Sequence, residues 1–124
     1  MESCQIRFAE RKDVPVILGF IRKLAEYEKL ENEVVATEKL LETWLFDKKK
    51  AEVLLAFEGE KPVGYALFFH NFSTFLGRAG IYLEDLFVLP EMRGKGYGKA
   101  LLSRVARLTV ERECGRLELS LIHI

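Results

Sequence analysis

A short apolar strand, a proline and a run of alternating glycines constrain the fold of this chain more than any other feature. The stretch LEDLFVLPEMRGKGYGKALL occupies residues 83–102, and its glycines stand at positions 94, 96 and 98. The apolar run predicts a strand over residues 81–89, which Pro90 ends. A helix is predicted over residues 98–112 by inward-facing apolar residues at helical spacing, namely Leu101, Leu102, Val105 and Leu108. A strand and a helix must therefore meet at a glycine loop.

This loop has the features of a phosphate-binding site. The N-terminus of a helix presents free backbone N–H groups and a partial positive charge. Glycine lets a phosphate approach the backbone and permits the positive φ angles at which successive amides converge. The P-loop and the dinucleotide fingerprint are excluded by spacing, because Lys99 stands where each pattern requires glycine. The remaining pattern, R-x-x-G-x-G over residues 93–98, indicates phosphate binding, with a flexible connector as the alternative.

The rest of the chain is typical of one globular domain. Its 124 residues are 49% hydrophobic and 31% charged. Its apolar runs are too short to cross a bilayer, and its first residues do not match a signal peptide. The two cysteines, Cys4 and Cys114, are too few for a disulfide framework or a metal site. We therefore expect a cytoplasmic protein with no metal and no membrane partner.

The remaining segments alternate between strand and helix patterns, so the predicted fold class is α/β. A strand is predicted over residues 4–9, and Asp13 and Thr37 are expected to cap two helices, over residues 14–30 and up to Leu45. Two further strands form a hairpin around Gly59. A loop over residues 73–80 follows, and residues 116–124 alternate well enough to form a last strand.

Charge is distributed unevenly along a chain whose net charge is zero. Residues 26–42 hold six acidic and two basic side chains, whereas residues 91–116 hold seven basic and three acidic ones. One interpretation is two solvated helix faces. The other is one surface for a cation and another for a polyanion. A nucleic-acid partner is not expected, because the basic residues cluster at one loop and helix.

The glycine loop resembles the acetyl-CoA pyrophosphate loop of the GCN5-related N-acetyltransferase (GNAT) family. The stretches LAEYEKLENEVVATEKLL and YLEDLFV are similar to those of its polyamine-acetylating branch, the diamine and thialysine acetyltransferases. The resemblance covers residues 4–118 and implies the GNAT fold, a mixed, mostly antiparallel sheet flanked by helices. It implies acetyl-CoA as the donor, bound by Leu86, Phe87, Val88, Arg93, Gly94, Lys95, Gly96, Tyr97, Gly98 and Lys99.

Two adjacent carboxylates, Glu84 and Asp85, stand in the predicted strand, so their side chains are expected on opposite faces. Carboxylates in an apolar strand need a partner or a use, and the structural alternative is that one pairs with an arginine such as Arg78 or caps a neighbouring backbone amide. An alkylamine has a pKa of about 10.4 and must lose a proton before it attacks a thioester. Glu84 is the predicted catalytic residue, which binds the ammonium group and relays its proton through water. Strand amides would stabilise the oxyanion.

The resemblance implies an acceptor that is a small cationic amine, such as a polyamine or thialysine. Tyr27 and Glu28 match positions that contact the polyamine in the diamine branch, and Glu84 and Asp85 complete the predicted acceptor site. Core packing is the alternative for Tyr27, because its spacing continues an apolar stripe. Phe75 stands where the diamine acetyltransferases have tryptophan, which leaves the exact substrate open. His70 is assigned no functional role.

Two other functions remain open at this point. One is N-acetylation of amino acids or peptides, and the other is acyl-CoA binding without catalysis. The family precedent implies a homodimer.

The family pattern continues beyond the end of this chain, into an asparagine-bearing loop, a helix with a Phe-Tyr pair, and closing strands. That tyrosine commonly protonates the leaving thiolate. The chain stops at LSLIHI, and one DNA string that encodes these six residues is a transposon end used in sequencing libraries. We therefore expect an incomplete domain without its C-terminal helix and strands, with residues 119–124 derived from an adapter. A naturally short protein is the alternative.

Overall fold

Among the residues that the structure describes, five strands form one sheet in chain order, and three α-helices connect or cover them. The computed structural model describes residues 4–120. The strands are β1 (Cys4–Phe8), β2 (Glu52–Glu58), β3 (Lys61–Ser73), β4 (Arg78–Val88) and β5 (Leu117–Leu119). The helices are α1 (Val14–Tyr27), α2 (Glu38–Leu41) and α3 (Tyr97–Glu111). Neighbouring strands are antiparallel except β4 and β5, which are parallel, so the predicted mixed and mostly antiparallel sheet is confirmed.

The core lies where α1 and α3 pack on the central strands. Its fully buried members include Ile17, Leu54, Leu55, Val63, Tyr65, Leu101 and Val105. Each buried aliphatic side chain of this size contributes about 1.5–3 kcal/mol of transfer free energy. Of the α3 residues predicted to face inward, Leu102 is only half-buried, since it stands at the edge of the apolar stripe. The core therefore fixes α1 against β3, and it fixes α3 against β3 and against β4, the strand that precedes the glycine loop.

Helix α1 ends at Tyr27, earlier than the predicted helix over residues 14–30. Lys29 adopts a left-handed conformation with φ of 60°. The N–H of Leu30 donates to the carbonyl of Ala25 at 2.7 Å, and the N–H of Lys29 donates to that of Glu26 at 3.1 Å. This pattern caps the carboxyl end of a helix and reverses the chain. As a result, residues 30–36 turn back toward β4.

Thr37 caps α2 as predicted, since its Oγ1 accepts the N–H of Leu40 at 3.1 Å. The helix continues as a π-helical segment, Glu42–Asp47. Asp13 stands at the N-terminus of α1 but makes no side-chain bond to that helix. Its carboxylate instead accepts from the Arg7 guanidinium at 2.8 and 3.1 Å and from the N–H of Glu10 at 2.7 Å. The predicted side-chain cap is therefore wrong, because an arginine on β1 competes for the carboxylate.

Two tight turns connect the long antiparallel strands. The hairpin predicted around Gly59 is confirmed, with Gly59 at a φ of 62° between β2 and β3. The loop predicted over residues 73–80 is shorter, because Ser73 pairs with Arg78 and extends the ladder to both sides of the turn. The last strand, predicted over residues 116–124, is β5. Residues 121–124 of the expected adapter-derived segment lie outside the described residues.

Candidate functional site

The glycine loop and the start of α3 border a cavity of about 460 Å³. It is lined by Tyr27, Leu86, Phe87, Val88, Met92, Arg93, Gly94, Gly96, Tyr97, Gly98 and Lys99. This lining contains every residue predicted to bind the donor except Lys95. The structure thus brings the end of β4, the loop and the helix start together around one space.

The backbone of the loop explains two of its three glycines. Gly94 and Gly96 have φ angles of 82° and 89°, in the left-handed region that favours glycine. Gly96 precedes α3, and the N–H of Ala100 donates to its carbonyl at 3.0 Å as the first bond of the helix. The three preceding N–H groups belong to residues 97–99, and groups at these positions have no partner within a helix. They lie where the cavity meets α3, which suits an anion.

Lys95 and Tyr97 attach the loop to β2. The Tyr97 hydroxyl donates to the Glu58 carboxylate, which raises the pKa of Tyr97 to about 12. The Lys95 ammonium lies 3.8 Å from the same carboxylate. Because the Tyr97 side chain is buried, its backbone is the part that can meet a ligand. The structure thus gives Lys95 a place beside the cavity rather than in its lining.

Beside this cavity, part of one edge of β4 has no partner strand among the described residues. Within residues 4–120, β5 pairs with β4 across Ile81–Leu83, and the N–H of Ser120 donates to the Leu83 carbonyl at 2.9 Å. From Glu84 to Val88, no strand within residues 4–120 pairs with that edge. Strand edges present N–H and C=O groups that can pair with another extended chain. The backbone of Leu86 and the N–H of Val88 therefore face a ligand on this side, whereas the backbone of Phe87 faces β3 and the Val88 carbonyl accepts from Arg93.

Arg93 connects α1 to the glycine loop. Its Nε donates to the Val88 carbonyl at 3.1 Å, and its guanidinium lies 4.4 Å from the Tyr27 ring centroid and 5.5 Å from that of Phe87. Such cation–π contacts are favourable by about 0.5–1 kcal/mol at exposed sites. Tyr27 is 61% exposed, so the core-packing alternative is wrong. Tyr27 borders the glycine-loop cavity, whereas Glu28, the next residue, borders a second cavity that Tyr27 does not line.

A second cavity, of about 510 Å³, is acidic and apolar. It is lined by Ile21, Leu24, Ala25, Glu28, Leu30, Glu33, Val34, Val35, Ala36, Glu84 and Asp85. Four of these residues carry carboxylates, and none of this lining, all of it within residues 4–120, is basic. An aliphatic chain with positive charges matches both properties. Glu33 was not among the predicted site residues, and only its place in the acidic segment could have indicated it.

A β-bulge gives Glu84 and Asp85 their positions. Asp85 pairs with Leu67 and Leu83 pairs with Phe68, which leaves Glu84 as the extra residue in β4. The predicted strict alternation is therefore wrong here, and both residues border the acidic cavity. Arg78 is six residues from Glu84 on an extended strand, a separation of about 20 Å. That distance rules out the predicted alternative of an ion pair between Arg78 and these carboxylates.

Tyr65 on β3 is a site residue that the sequence reasoning missed. Its hydroxyl donates to Asp85 Oδ2 at 2.9 Å, and its ring is completely buried. Burial first, then Asp85 and the charges of Glu28 and Glu84, raise the pKa of Tyr65 well above its usual range. The hydroxyl is therefore a permanent donor among three carboxylates. A tyrosine in an apolar strand pattern was the only available signal.

The two cavities adjoin along β4 and along the end of α1. Asp85 borders the acidic cavity and Leu86 borders the glycine-loop cavity, and they are consecutive residues. Tyr27 and Glu28 divide in the same way at the end of α1. A molecule in one cavity can therefore meet a molecule in the other beside the β-bulge.

Two other aromatic residues lie away from these cavities. Phe75 is fully exposed in the turn between β3 and β4 and lines neither cavity. His70 lies 3.3 Å from Arg112, which makes a two-pronged ion pair with Glu52 at 2.6 and 2.9 Å. Within residues 4–120, no group of three or more His, Cys, Asp or Glu side chains is arranged to hold a metal. In the same part of the chain no helix has the length and apolarity to cross a membrane.

Comparison with known proteins identifies the family. The model of the acetyltransferase (GNAT) family matches residues 18–123. Thialysine N-epsilon-acetyltransferase of Bos taurus is 39% identical, over 98% of this chain and 76% of that relative. L-ornithine N5-acetyltransferase of Arabidopsis thaliana is 28% identical, over 92% of this chain and 70% of that relative. An aminoglycoside acetyltransferase from a soil metagenome shares the fold, with a TM-score of 0.83 at 18% identity over 96% of this chain and 78% of that one. The chain belongs to the GNAT family of N-acetyltransferases.

Proposed function

We propose that this N-acetyltransferase transfers an acetyl group from acetyl-CoA to a primary amine of a small cationic acceptor. One observation carries the proposal: a cavity suited to phosphate and a cavity suited to ammonium adjoin at Asp85 and Leu86. The family membership supports the reaction class. We also propose, from the family resemblance alone, that the protein is a cytoplasmic homodimer.

The residues around the glycine loop fit acetyl-CoA. The left-handed Gly94 and Gly96 and the N–H groups that begin α3 suit its pyrophosphate. The open edge of β4 at residues 86–88 suits the amides of its pantetheine arm. When bound, acetyl-CoA supplies the acetyl group as a thioester. The carbon–nitrogen bond to the amine forms as the carbon–sulfur bond breaks, and CoA leaves as a thiolate whose charge is neutralised by the proton that the acetylated nitrogen loses.

The acidic cavity prepares the amine. Glu28, Glu33 and Asp85 attract a cationic acceptor, while the apolar residues of the lining contact its methylene groups. Glu84 holds the reacting ammonium and takes its proton through a water molecule, because only the neutral amine is a nucleophile. Backbone N–H groups at the bulge stabilise the developing oxyanion. No side chain forms a covalent intermediate in this scheme, so neither cysteine is required.

The acidic lining favours polyamines over amino acids as acceptors. An amino acid carries a carboxylate, and the described lining offers it four like charges and no basic side chain. The names of two relatives favour the second candidate, an amino acid with a side-chain amine, since these enzymes are named for thialysine and ornithine. A panel of spermidine, thialysine and ornithine separates the two classes. We expect the lowest KM for spermidine.

The first experiment is thermal melting of the 124-residue chain with and without acetyl-CoA, followed by assays of CoA release with that panel. Ligand at a hundredfold excess over its Kd stabilises a protein by about 2.7 kcal/mol, which raises the Tm by several degrees. A cooperative transition that acetyl-CoA does not shift would contradict donor binding at the glycine loop. A shifted transition without CoA release for any of the three amines would contradict acetyl transfer to this acceptor class.

A further inference from the structure

We propose that Tyr65 is a positioning residue for the acceptor, because its hydroxyl orients the Asp85 carboxylate in the acidic cavity. The inference rests on the proposed function, since it assigns the acceptor to that cavity. It adds a residue on β3 to a site otherwise formed by α1, the segment that follows α1, and β4.

The Tyr65 side chain is held rigidly. Its ring stacks on Phe20 of α1 with centroids 5.5 Å apart and planes 10° apart. Phe20 in turn makes an edge contact with Phe87, at 6.3 Å, on the wall of the glycine-loop cavity. The Tyr65 ring is fully buried, so its hydroxyl has little freedom to move away from Asp85 Oδ2, at 2.9 Å. The contact therefore fixes the direction of one carboxylate oxygen.

The surrounding charges give this hydrogen bond its importance. Glu28, Glu84 and Asp85 all border the acidic cavity, and the charge of each helps to raise the pKa of the Tyr65 hydroxyl. A neutral donor fixed among them stabilises the Asp85 anion without cancelling its charge. The carboxylate then meets a cationic acceptor in one orientation, which lowers the entropy lost on binding.

The direct test is Tyr65→Phe, which removes the hydroxyl and keeps the ring that packs on Phe20. A hydrogen bond to a charged group is worth a factor of about ten or more in an equilibrium constant, and its loss leaves the Asp85 carboxylate without this fixed orientation toward the acceptor. We expect the KM for spermidine to rise about tenfold, with kcat and the KM for acetyl-CoA unchanged within about twofold. A general loss of structure would not divide the two KM values in this way.

Tyr82→Phe is the matched control. Tyr82 lies on the neighbouring strand β4, and its ring stacks on Phe69 at 5.2 Å, away from both cavities. The Y82F variant therefore lacks one tyrosine hydroxyl on a stacked ring, and its hydrogen bond from Tyr65 to Asp85 is unchanged. We expect Y82F to keep the wild-type KM for spermidine.

A double-mutant cycle tests whether Tyr65 acts through Asp85. If it does, Asp85→Asn and the double variant Y65F/D85N have the same KM for spermidine, because the second change removes nothing further. If the effects of the two changes multiply, Tyr65 acts through some other route and the proposal is wrong. A Y65F chain that no longer melts cooperatively would also overturn it, in favour of a purely structural role.

Calorimetric titration with spermidine separates this inference from the acetyl-transfer proposal. Wild-type chain that binds spermidine but releases no CoA contradicts acetyl transfer, while the affinities of Y65F and Y82F still report on positioning. In that case we expect about tenfold weaker binding for Y65F alone. Wild-type chain that binds neither spermidine nor thialysine would overturn the positioning role, even if acetyl-CoA still raises the Tm.

Discussion

Glu84 is the residue on which the proposed chemistry depends most directly. It is the extra residue of the bulge in β4, between the paired residues Leu83 and Asp85. The substitution Glu84→Gln keeps the shape of the side chain but removes its ability to accept a proton. Because general-base catalysis contributes about 10²–10⁴-fold, we expect kcat for CoA release to fall by about 10² or more. Initial rates at saturating amine measure this effect.

Glu60→Gln provides the control for this prediction. Glu60 is exposed in the turn between β2 and β3 and borders neither cavity, so its kcat should equal that of wild type. Acetyl-CoA should raise the Tm of both variants equally, because neither change touches the glycine loop. An E84Q protein with wild-type kcat would exclude Glu84 as the proton acceptor.

The glycine loop is the element whose backbone conformation we expect to matter for binding the donor. Gly94 and Gly59 both have left-handed φ angles, 82° and 62°, and both have open space where a Cβ would stand. Alanine at either position should therefore cost a similar 1–2 kcal/mol of stability, roughly the penalty for the left-handed region. Only Gly94 lines the cavity proposed for the donor. We expect Gly94→Ala to weaken acetyl-CoA binding and Gly59→Ala to leave the Kd unchanged, as measured by calorimetry. Equal Kd values for both variants would mean that the Gly94 backbone has no part in binding.

An ion pair between Arg7 on β1 and Asp13, the residue before α1, makes the free energy of unfolding depend on pH. The Arg7 guanidinium and the N–H of Glu10 hold the pKa of Asp13 below its usual range, with the Arg7 hydrogen bond as the largest cause. A lowered pKa in the folded state gives stability that is present above the unfolded pKa of about 3.9 and is lost as pH falls through the folded value. Denaturation at several pH values should therefore show that wild type loses this contribution below about pH 4.

Asp13→Asn removes the charge and isolates this contribution. Arg7 is 39% exposed, so solvent screens the pair, and we expect the variant to be less stable by about 1–2 kcal/mol at neutral pH. The difference from wild type should shrink as pH falls below 4. A constant difference across that range would show that the charge of Asp13 is not its cause.

The whole molecule has zero net charge, yet its acidic and basic side chains are concentrated in separate parts of the sequence, residues 26–42 and residues 91–116. The acidic cavity includes Glu28 and Glu33 from the acidic segment, and the glycine-loop cavity includes Arg93 and Lys99 from the basic one. Salt screens such attraction, because the Debye length falls from about 10 Å at 0.1 M to about 3 Å at 1 M. We expect the KM values for spermidine and acetyl-CoA to rise together between about 0.05 and 0.5 M salt. Rates that do not change with salt would favour two merely solvated faces.

Local patterns were sufficient to predict the succession of strand, glycine loop and helix that together span residues 81–112. They also predicted the cap at Thr37 and the turn at Gly59, since hydrogen bonding and φ preference at these residues depend on few neighbours. The end of α1 was not predictable, because a lysine at position 29 adopts a conformation that spacing does not reveal. The prediction that the Asp13 side chain caps α1 was wrong for a different reason: Arg7, on β1, lies close enough to bind its carboxylate.

The sequence by itself determined which residue types stand around the carboxyl-terminal end of β4: two carboxylates shortly before it and a glycine loop after it. Periodicity and turn preferences depend on residues that are close together in the chain, so they can be recognised from the sequence alone. Only the tertiary structure decided that Glu84 and Asp85 share a cavity, because a bulge depends on how β3 pairs with β4. It alone brought the Tyr65 hydroxyl to Asp85, across 20 residues of chain, since such a contact arises from strand pairing and helix packing together.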